Sequence, residues 1–194
     1  MRVLIACEFS GIVRDAFRAR GHDAWSCDLL PTEKPGPHIV GDVLGYLNEG
    51  WDLMIAFPPC TYLSRAGARW WKKPGRKELA DKAAEFVFTL RDAPIARIVI
   101  ENPIGQLNAL WRYPDQVIEP HWFGDPYSKK TCLWLKNLPP LKPTQMCGRI
   151  EHWLPSNTGG KKRGQSATKG KVSGGKEASR TFPGIARAMA EQWG

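Results

Sequence analysis

The sequence predicts an α/β protein whose mostly parallel sheet is flanked by helices. Short apolar runs of strand length alternate with helix-length amphipathic stretches through most of the chain, and Gly or Pro punctuates the junctions. A second observation bears on use. Polar residues collect where the apolar runs stop, and in open parallel sheets ligands bind beyond the carboxyl ends of the strands.

Residues 2–6 (RVLIA) form a short run suited to a buried strand. A helix opens at Ser10 or Gly11 and continues to Arg20, with Ile12, Val13, Ala16 and Phe17 on one face and Gly21 closing it. Residues 23–27 (DAWSC) read as a second strand ending at Asp28. After Gly-Pro punctuation come the short segment 40–44 and then 51–57 (WDLMIAF), a strand stopped by Pro58-Pro59. Residues 77–91 carry the clearest helical periodicity, and 95–100 and 131–135 are further strands. Pro139, Pro140 and Pro143 break regular structure after Leu138. Periodicity returns over 182–193 as a last helix, with Pro183 in its first turn. The expected organisation is a core over residues 1–140, a short insert over 141–180 and a returning helix over 181–194.

Composition narrows the function classes. The chain has 194 residues, 42% hydrophobic and 24% charged, which is enough to bury a core. No apolar run reaches the roughly 18 residues of a membrane span, and the first residues lack the pattern of a signal peptide. Five cysteines at irregular spacing argue for a reducing compartment, so a cytoplasmic protein without a membrane partner is expected. No CxxC, HxxxH or HxE occurs, and Cys147 and His152 lack a second ligand pair, so no metal is expected. The net charge is +9, and residues 141–180 carry nine basic residues against two acids, Glu151 and Glu177, or +7 of it. Residues 157–179 are rich in Gly, Ser and Lys and are expected to be mobile unless a ligand orders them. The basic stretch reads either as a solvated loop or as the seat of a polyanionic partner.

The strand ends carry Glu8-Phe9-Ser10-Gly11, Asp28, Phe57-Pro58-Pro59-Cys60 and Glu101-Asn102-Pro103, with Asp42 in a short loop between strands. Asp28 is either a turn residue or the acid that binds ribose hydroxyls, and Asp42 a turn residue or an acceptor for an adenine amino group. Cys7, Cys27 and Cys132 fit buried strand positions. Cys60 does not: two prolines after an apolar strand set its sulfur on a stiff loop facing the crevice. Glu101 ends a buried strand, so desolvation raises its pKa and prepares it to donate a proton, unless it merely caps a helix. A thiol nucleophile and a carboxyl acid in one crevice suit addition to a conjugated ring.

In this order the residues resemble the DNA cytosine-C5 methyltransferases, in the form of compact phage or prophage members. Pro59-Cys60 and Glu101-Asn102-Pro103 resemble the family's Pro-Cys and Glu-Asn-Val motifs, and Phe9-Ser10-Gly11 its Phe-x-Gly turn. Residues 124–129 stand in place of Gly-x-Pro-Gln-x-Arg, and the similarity covers roughly residues 1–138 plus the last helix. The resemblance implies a Rossmann-like fold and S-adenosyl-L-methionine as cofactor, held by Phe9, Ser10, Gly11, Asp28, Leu29, Asp42, Val43, Phe57 and Pro58. It implies DNA as partner, in the cytoplasm of a bacterial host. Cys60 adds to C6 of cytosine, Glu101 protonates N3, and Lys129 takes the place of the motif's arginine. Between residues 61 and 76, Arg65, Arg69, Lys72 and Lys73 interleave with Trp70 and Trp71, a composition for contacting DNA or for an ordinary surface loop. Lys161, Lys162 and Arg163 are expected to add phosphate contacts without choosing a sequence.

Several positions depart from the family pattern. Val13 and Arg14 replace later glycines, Thr131 replaces a second arginine, Ser179-Arg180-Thr181 replaces Gly-Asn-Ser, and residues 141–180 replace a large target-recognition domain. Arg180 falls beside the transferred methyl group, where it either turns toward a phosphate or pairs with the carboxylate of carboxy-S-adenosyl-L-methionine, giving carboxymethyl transfer. Two further functions fit the same residues: C5 modification of a free cytosine nucleotide, and non-catalytic binding of nucleic acid.

Overall fold

Period-two burial accounts for the strands. In β1 (Arg2–Ala6), Val3 and Ile5 join the core on one face and Leu4 and Ala6 the core on the other, all fully buried. β4 (Leu53–Ala56) repeats the pattern, Leu53 and Ile55 against Met54 and Ala56. A strand buried on both faces reads as a continuous apolar run, which is why these two are visible in sequence. The computed structural model describes residues 1–152 and 179–194. The sequence expectations for Lys161, Lys162 and Arg163, and for nearly all of 157–179, lie outside the described residues.

With β2 (Asp23–Asp28), β3 (His38–Val40), β5 (Arg97–Pro103), β6 (Gln116–Ile118) and β8 (Thr131–Lys136), these strands form one seven-stranded sheet of order β3-β2-β1-β4-β5-β8-β6. Every pair from β3 to β5 is parallel, while β8 runs antiparallel to both β5 and β6. The order 3-2-1-4-5 is the Rossmann-like one, with the chain reversing direction across the sheet between β1 and β4. The α/β fold with a mostly parallel sheet is thus as expected. β7 (Tyr127–Ser128) and β9 (Glu151–His152) pair separately as a two-stranded parallel ribbon.

Helices cover both faces. α1 (Ile12–Arg18) and the C-terminal helix Pro183–Trp193 pack together on one, burying Val13, Phe17, Ile185, Met189 and Trp193. α2 (Arg76–Arg91) covers the other with Ala80, Ala84, Val87 and Leu90, a helical stripe. The C-terminal helix is held at its start by Asp125, whose carboxylate accepts from the Gly184 amide at 2.7 Å.

Several expectations change. Cys7 is not in β1 but in the turn after it, with a left-handed backbone at φ 60. Residues 40–44 divide into the end of β3 and a 3₁₀ turn, Val43–Tyr46, capped by Asp42. Trp70 is exposed, but Trp71 is half-buried. β6 has three residues between Pro114 and Pro120, too few to show a period. Among the described residues no helix is long and apolar enough to cross a membrane, and no group of three His, Cys, Asp or Glu is placed to hold a metal ion.

Arg14 is the least expected feature. It is fully buried, and its guanidinium donates to Ser26 and Thr32 hydroxyls and to the carbonyls of Lys34 and Pro35 at 3.0–3.3 Å, with Asp15 as its carboxylate partner at 2.8 Å. It passes beneath Gly11 and Gly36, where a Cβ would collide with it. Arg14 therefore anchors the loop that follows β2. Arg14→Met should lower the unfolding free energy by about 2 kcal/mol, because the buried Ser26 hydroxyl and three partly buried acceptors lose their donor. A chemical-denaturation midpoint equal to wild type would refute that account.

Candidate functional site

The carboxyl ends of β1, β2, β4 and β5 meet at one edge of the sheet, and the turn after each supplies part of the site. After β1, Glu8 is buried and accepts from the Ser10 hydroxyl at 2.9 Å and from the amides of Val13 and Arg14 at 2.8 and 3.3 Å. Those amides open α1 and have no intrahelical partner, so the carboxylate is a cap. Burial pushes the Glu8 pKa up, while these hydrogen bonds and Arg14 pull against it. Phe9 and Ser10 are buried and Gly11 has φ +72, so the turn is fixed, with the Arg14 guanidinium filling the space that a side chain at Gly11 would need. In sequence Glu8 groups with the turn without an evident task; an acid five residues before a helical apolar position is the available signal.

Beyond β2 and β3 lies an edge with two carboxylates. Asp28 accepts from the Leu30 amide at 2.9 Å and Asp42 from the Leu44 amide at 3.0 Å, so both sit at the starts of turns. Leu29 is 74% exposed and Leu30, Val40 and Leu44 are exposed with it. Leu44 lines a separate recess with Leu47 and Phe88. Leu29, Leu30 and Val40 neighbour Asp28 in chain or register and, being apolar side chains in water beside a carboxylate, offer a surface for a flat, partly polar group. Val43 faces inward and belongs to the core. Cys7 lies close enough that burial first, then Asp28 and Asp42, push its thiol up to about 12, so it remains protonated.

The sharper geometry lies beyond β4 and β5. Phe57, Pro58, Cys60, Glu101, Lys129, Thr131 and Arg180 line one cleft, closed on the far side by Phe182, Ile185 and Met189 of the C-terminal segment. The Cys60 loop is pinned to β5: Asn102, buried, donates from Nδ2 to the Pro58 carbonyl at 3.0 Å. Gln106 donates to the Tyr62 carbonyl at 3.0 Å and its amide to the Leu63 carbonyl at 2.7 Å. At Gly105 a Cβ would overlap the Leu63 carbonyl, so only glycine permits this contact.

Electrostatics tie the cleft residues together. Burial pushes the Glu101 carboxyl up, against the attraction of Lys129 and a hydrogen bond with Thr131. Burial also pushes the Cys60 thiol up, the Glu101 charge adds to this, and Lys129 draws it down. Cys60 is exposed as a residue, yet desolvation of its sulfur is the largest effect. The Lys129 ammonium lies 5.7 Å from the Phe182 ring centre. A thiol, a carboxyl group and an ammonium thus share one space, and Thr131, which in sequence registers only as a departure from the resembled motif, hydrogen-bonds the carboxyl group.

On the rim, Arg65, Arg69, Lys72 and Lys73 are all exposed. A 3₁₀ helix, Arg65–Trp70, capped by Ser64, carries Trp70 outward with Arg69 at 4.9 Å and Lys73 at 4.2 Å from its ring. Arg180, which lines the cleft, pairs with Glu33 at 2.7 Å.

No protein-family model matches the chain, and neither does any curated protein. Solved structures do match. One of them, a candidate DNA modification methyltransferase encoded within a prophage of E. coli, is similar at 16% identity with a TM-score of 0.46, over 76% of this chain and 52% of that one. The chain therefore spans about half the length of that solved structure. Likeness at this level assigns no activity, and the functional argument stands on the residues described above.

Proposed function

We propose that this protein transfers a methyl group from S-adenosyl-L-methionine to C5 of cytosine in DNA, through a covalent adduct with Cys60. The observation that carries the reading is the single cleft shared by Cys60, Glu101 and Lys129, beside an edge bearing Asp28 and Asp42. That edge fits the cofactor. Asp28 would hold the ribose hydroxyls, Asp42 the adenine amino group and Leu29 a face of the ring, with the turn Phe9-Ser10-Gly11 and the side chains of Phe57 and Pro58 enclosing the remainder. When bound, the cofactor supplies an electrophilic methyl group on a positively charged sulfur. Glu33 already gives Arg180 a carboxylate, which favours methyl over carboxymethyl transfer.

Cys60 acts as thiolate. Its sulfur forms a bond to C6 of the ring while Glu101 gives its proton to N3, and the electron pair of the C5–C6 double bond becomes available at C5. C5 would take the methyl group, whose bond to the cofactor sulfur breaks to leave S-adenosylhomocysteine. N3 returns its proton to Glu101, C5 gives up its own proton to water, and the C6–sulfur bond breaks to return Cys60 as thiolate. Raised pKa values suit the acid and oppose the nucleophile. Lys129 partly offsets the second effect. The exposed cations around Trp70 favour DNA over a free nucleotide, since phosphate contact and stacking beside an extruded base need that composition.

The deciding assay offers tritiated cofactor with duplex DNA, single-stranded DNA, RNA or dCMP. Label should enter cytosine of DNA, with binding that weakens steeply as salt rises. Label confined to dCMP would move the protein to the nucleotide class, and no incorporation into any of them would end the methyltransferase reading. Cys60→Ala should abolish turnover and leave cofactor affinity unchanged. Asp28→Ala should weaken cofactor binding by about 1–2 kcal/mol, roughly tenfold; unchanged affinity would mean that the pocket lies elsewhere.

The coupling in the cleft has its own signature. Alkylation of Cys60 follows the thiolate, which gains as pH rises, and the Glu101 charge holds that midpoint high. Glu101→Gln should therefore move the midpoint down and Lys129→Gln should move it up, as followed by peptide mass mapping. Catalysis needs Cys60 deprotonated and Glu101 protonated, so activity should fall at both pH extremes, and Glu101→Gln should lose the high-pH decline. Three identical alkylation midpoints would break the proposed link between acid and nucleophile.

A further inference from the structure

Arg180 lines the same cleft as Cys60 and Glu101. Its Nε donates to Glu33 Oε2 at 2.9 Å and its Nη2 to Glu33 Oε1 at 2.7 Å, a two-bond fork. This geometry fixes the direction of the guanidinium as well as its partner. Glu33 comes from the loop after β2, which Arg14 anchors from below, and its own amide donates to the Phe9 carbonyl at 2.9 Å. The carboxylate is therefore delivered to Arg180 by a loop held at two points. The two partners are 147 residues apart in sequence.

We propose that Glu33 is a specificity-determining residue that selects the charge of the cofactor: by cancelling the Arg180 guanidinium it lets the cleft admit a cation. The inference rests on the reading that S-adenosyl-L-methionine, held by the Asp28 and Asp42 edge, extends its sulfonium end past Phe57 and Pro58 into this cleft. A guanidinium and a sulfonium sharing a partly desolvated space repel, and a carboxylate locked to the guanidinium removes most of that field. S-adenosylhomocysteine has nearly the same shape and the same amino-acid charges but lacks the sulfonium charge, so the two compounds differ toward Arg180 by that charge alone. The ratio of the two affinities isolates the effect from any general change in the pocket.

The test is calorimetric titration of both compounds into wild type, Glu33→Gln, Arg180→Gln and the double variant at low salt. Glu33→Gln keeps the shape of the side chain and removes its charge. It should weaken S-adenosyl-L-methionine about tenfold more than S-adenosylhomocysteine, and adding Arg180→Gln should restore the wild-type ratio. Equal weakening of both compounds makes Glu33 a loop-positioning residue and overturns the inference, as does a ratio that stays constant or that the second substitution fails to restore. Wild type binding neither compound would instead overturn the proposed function, from which this inference follows.

Discussion

The hydrogen bond from Asn102 to the Pro58 carbonyl sets the geometry on which the site depends. Two prolines stop β4 and carry the chain over the sheet edge without offering amide donors, so the loop bearing Cys60 cannot hold itself by strand pairing. Asn102 supplies the missing tie from the neighbouring strand, next to Glu101. The contacts at Gly105 and Gln106 extend that tie along the loop as far as Leu63. Cys60 and Glu101 are thus positioned from one element, β5, and a shift of that strand carries both.

What the sequence discloses follows from how each residue acts. β1, β4 and β5 are legible because strands buried on both faces must be apolar throughout. Cys60 and Glu101 are legible because a polar side chain just past such a run lies at the ligand edge. Lys129 is legible only through the family resemblance, since a lysine in a short turn carries no signal of its own. Arg14, Glu33 and Asn102 are not legible as participants. An arginine on a helix reads as a solvent-facing residue, and nothing local says that its acceptors lie 18 to 21 residues on, at Thr32, Lys34 and Pro35. The partner of Glu33 is more distant still. β6, β7 and β9 escape notice because two or three residues between prolines or turns cannot display a period.

Buried polar groups also fix the first turn, where Val13 and Arg14 stand in place of the later glycines of the resembled motif. A glycine-rich turn leaves its backbone free and relies on a ligand for order. Here Glu8 satisfies the first amides of α1 and Arg14 runs beneath the turn to the next loop. Each of these groups is matched to partners, a costly arrangement that is stable only when complete.

Charge divides the ligand edge in a way that the strand order dictates. On the β3-β2-β1 side the turns present Asp28 and Asp42, and on the β4-β5-β8 side they present Lys129 and the exposed Arg65, Arg69, Lys72 and Lys73. The chain reverses across the sheet between β1 and β4, and Phe57 stands at that point, lining both the catalytic cleft and a smaller recess with Cys7, Glu8 and Ser10. A cationic, nucleoside-like molecule is complementary to the first half and a polyanion to the second. The two surfaces meet at the reversal, and Cys60 and Glu101 stand beside it. The Arg180–Glu33 pair spans the two halves there and brings no net charge to either. An unpaired arginine in that place would carry the basic half into the acidic one, so the carboxylate from the β2 loop is what keeps the two halves distinct.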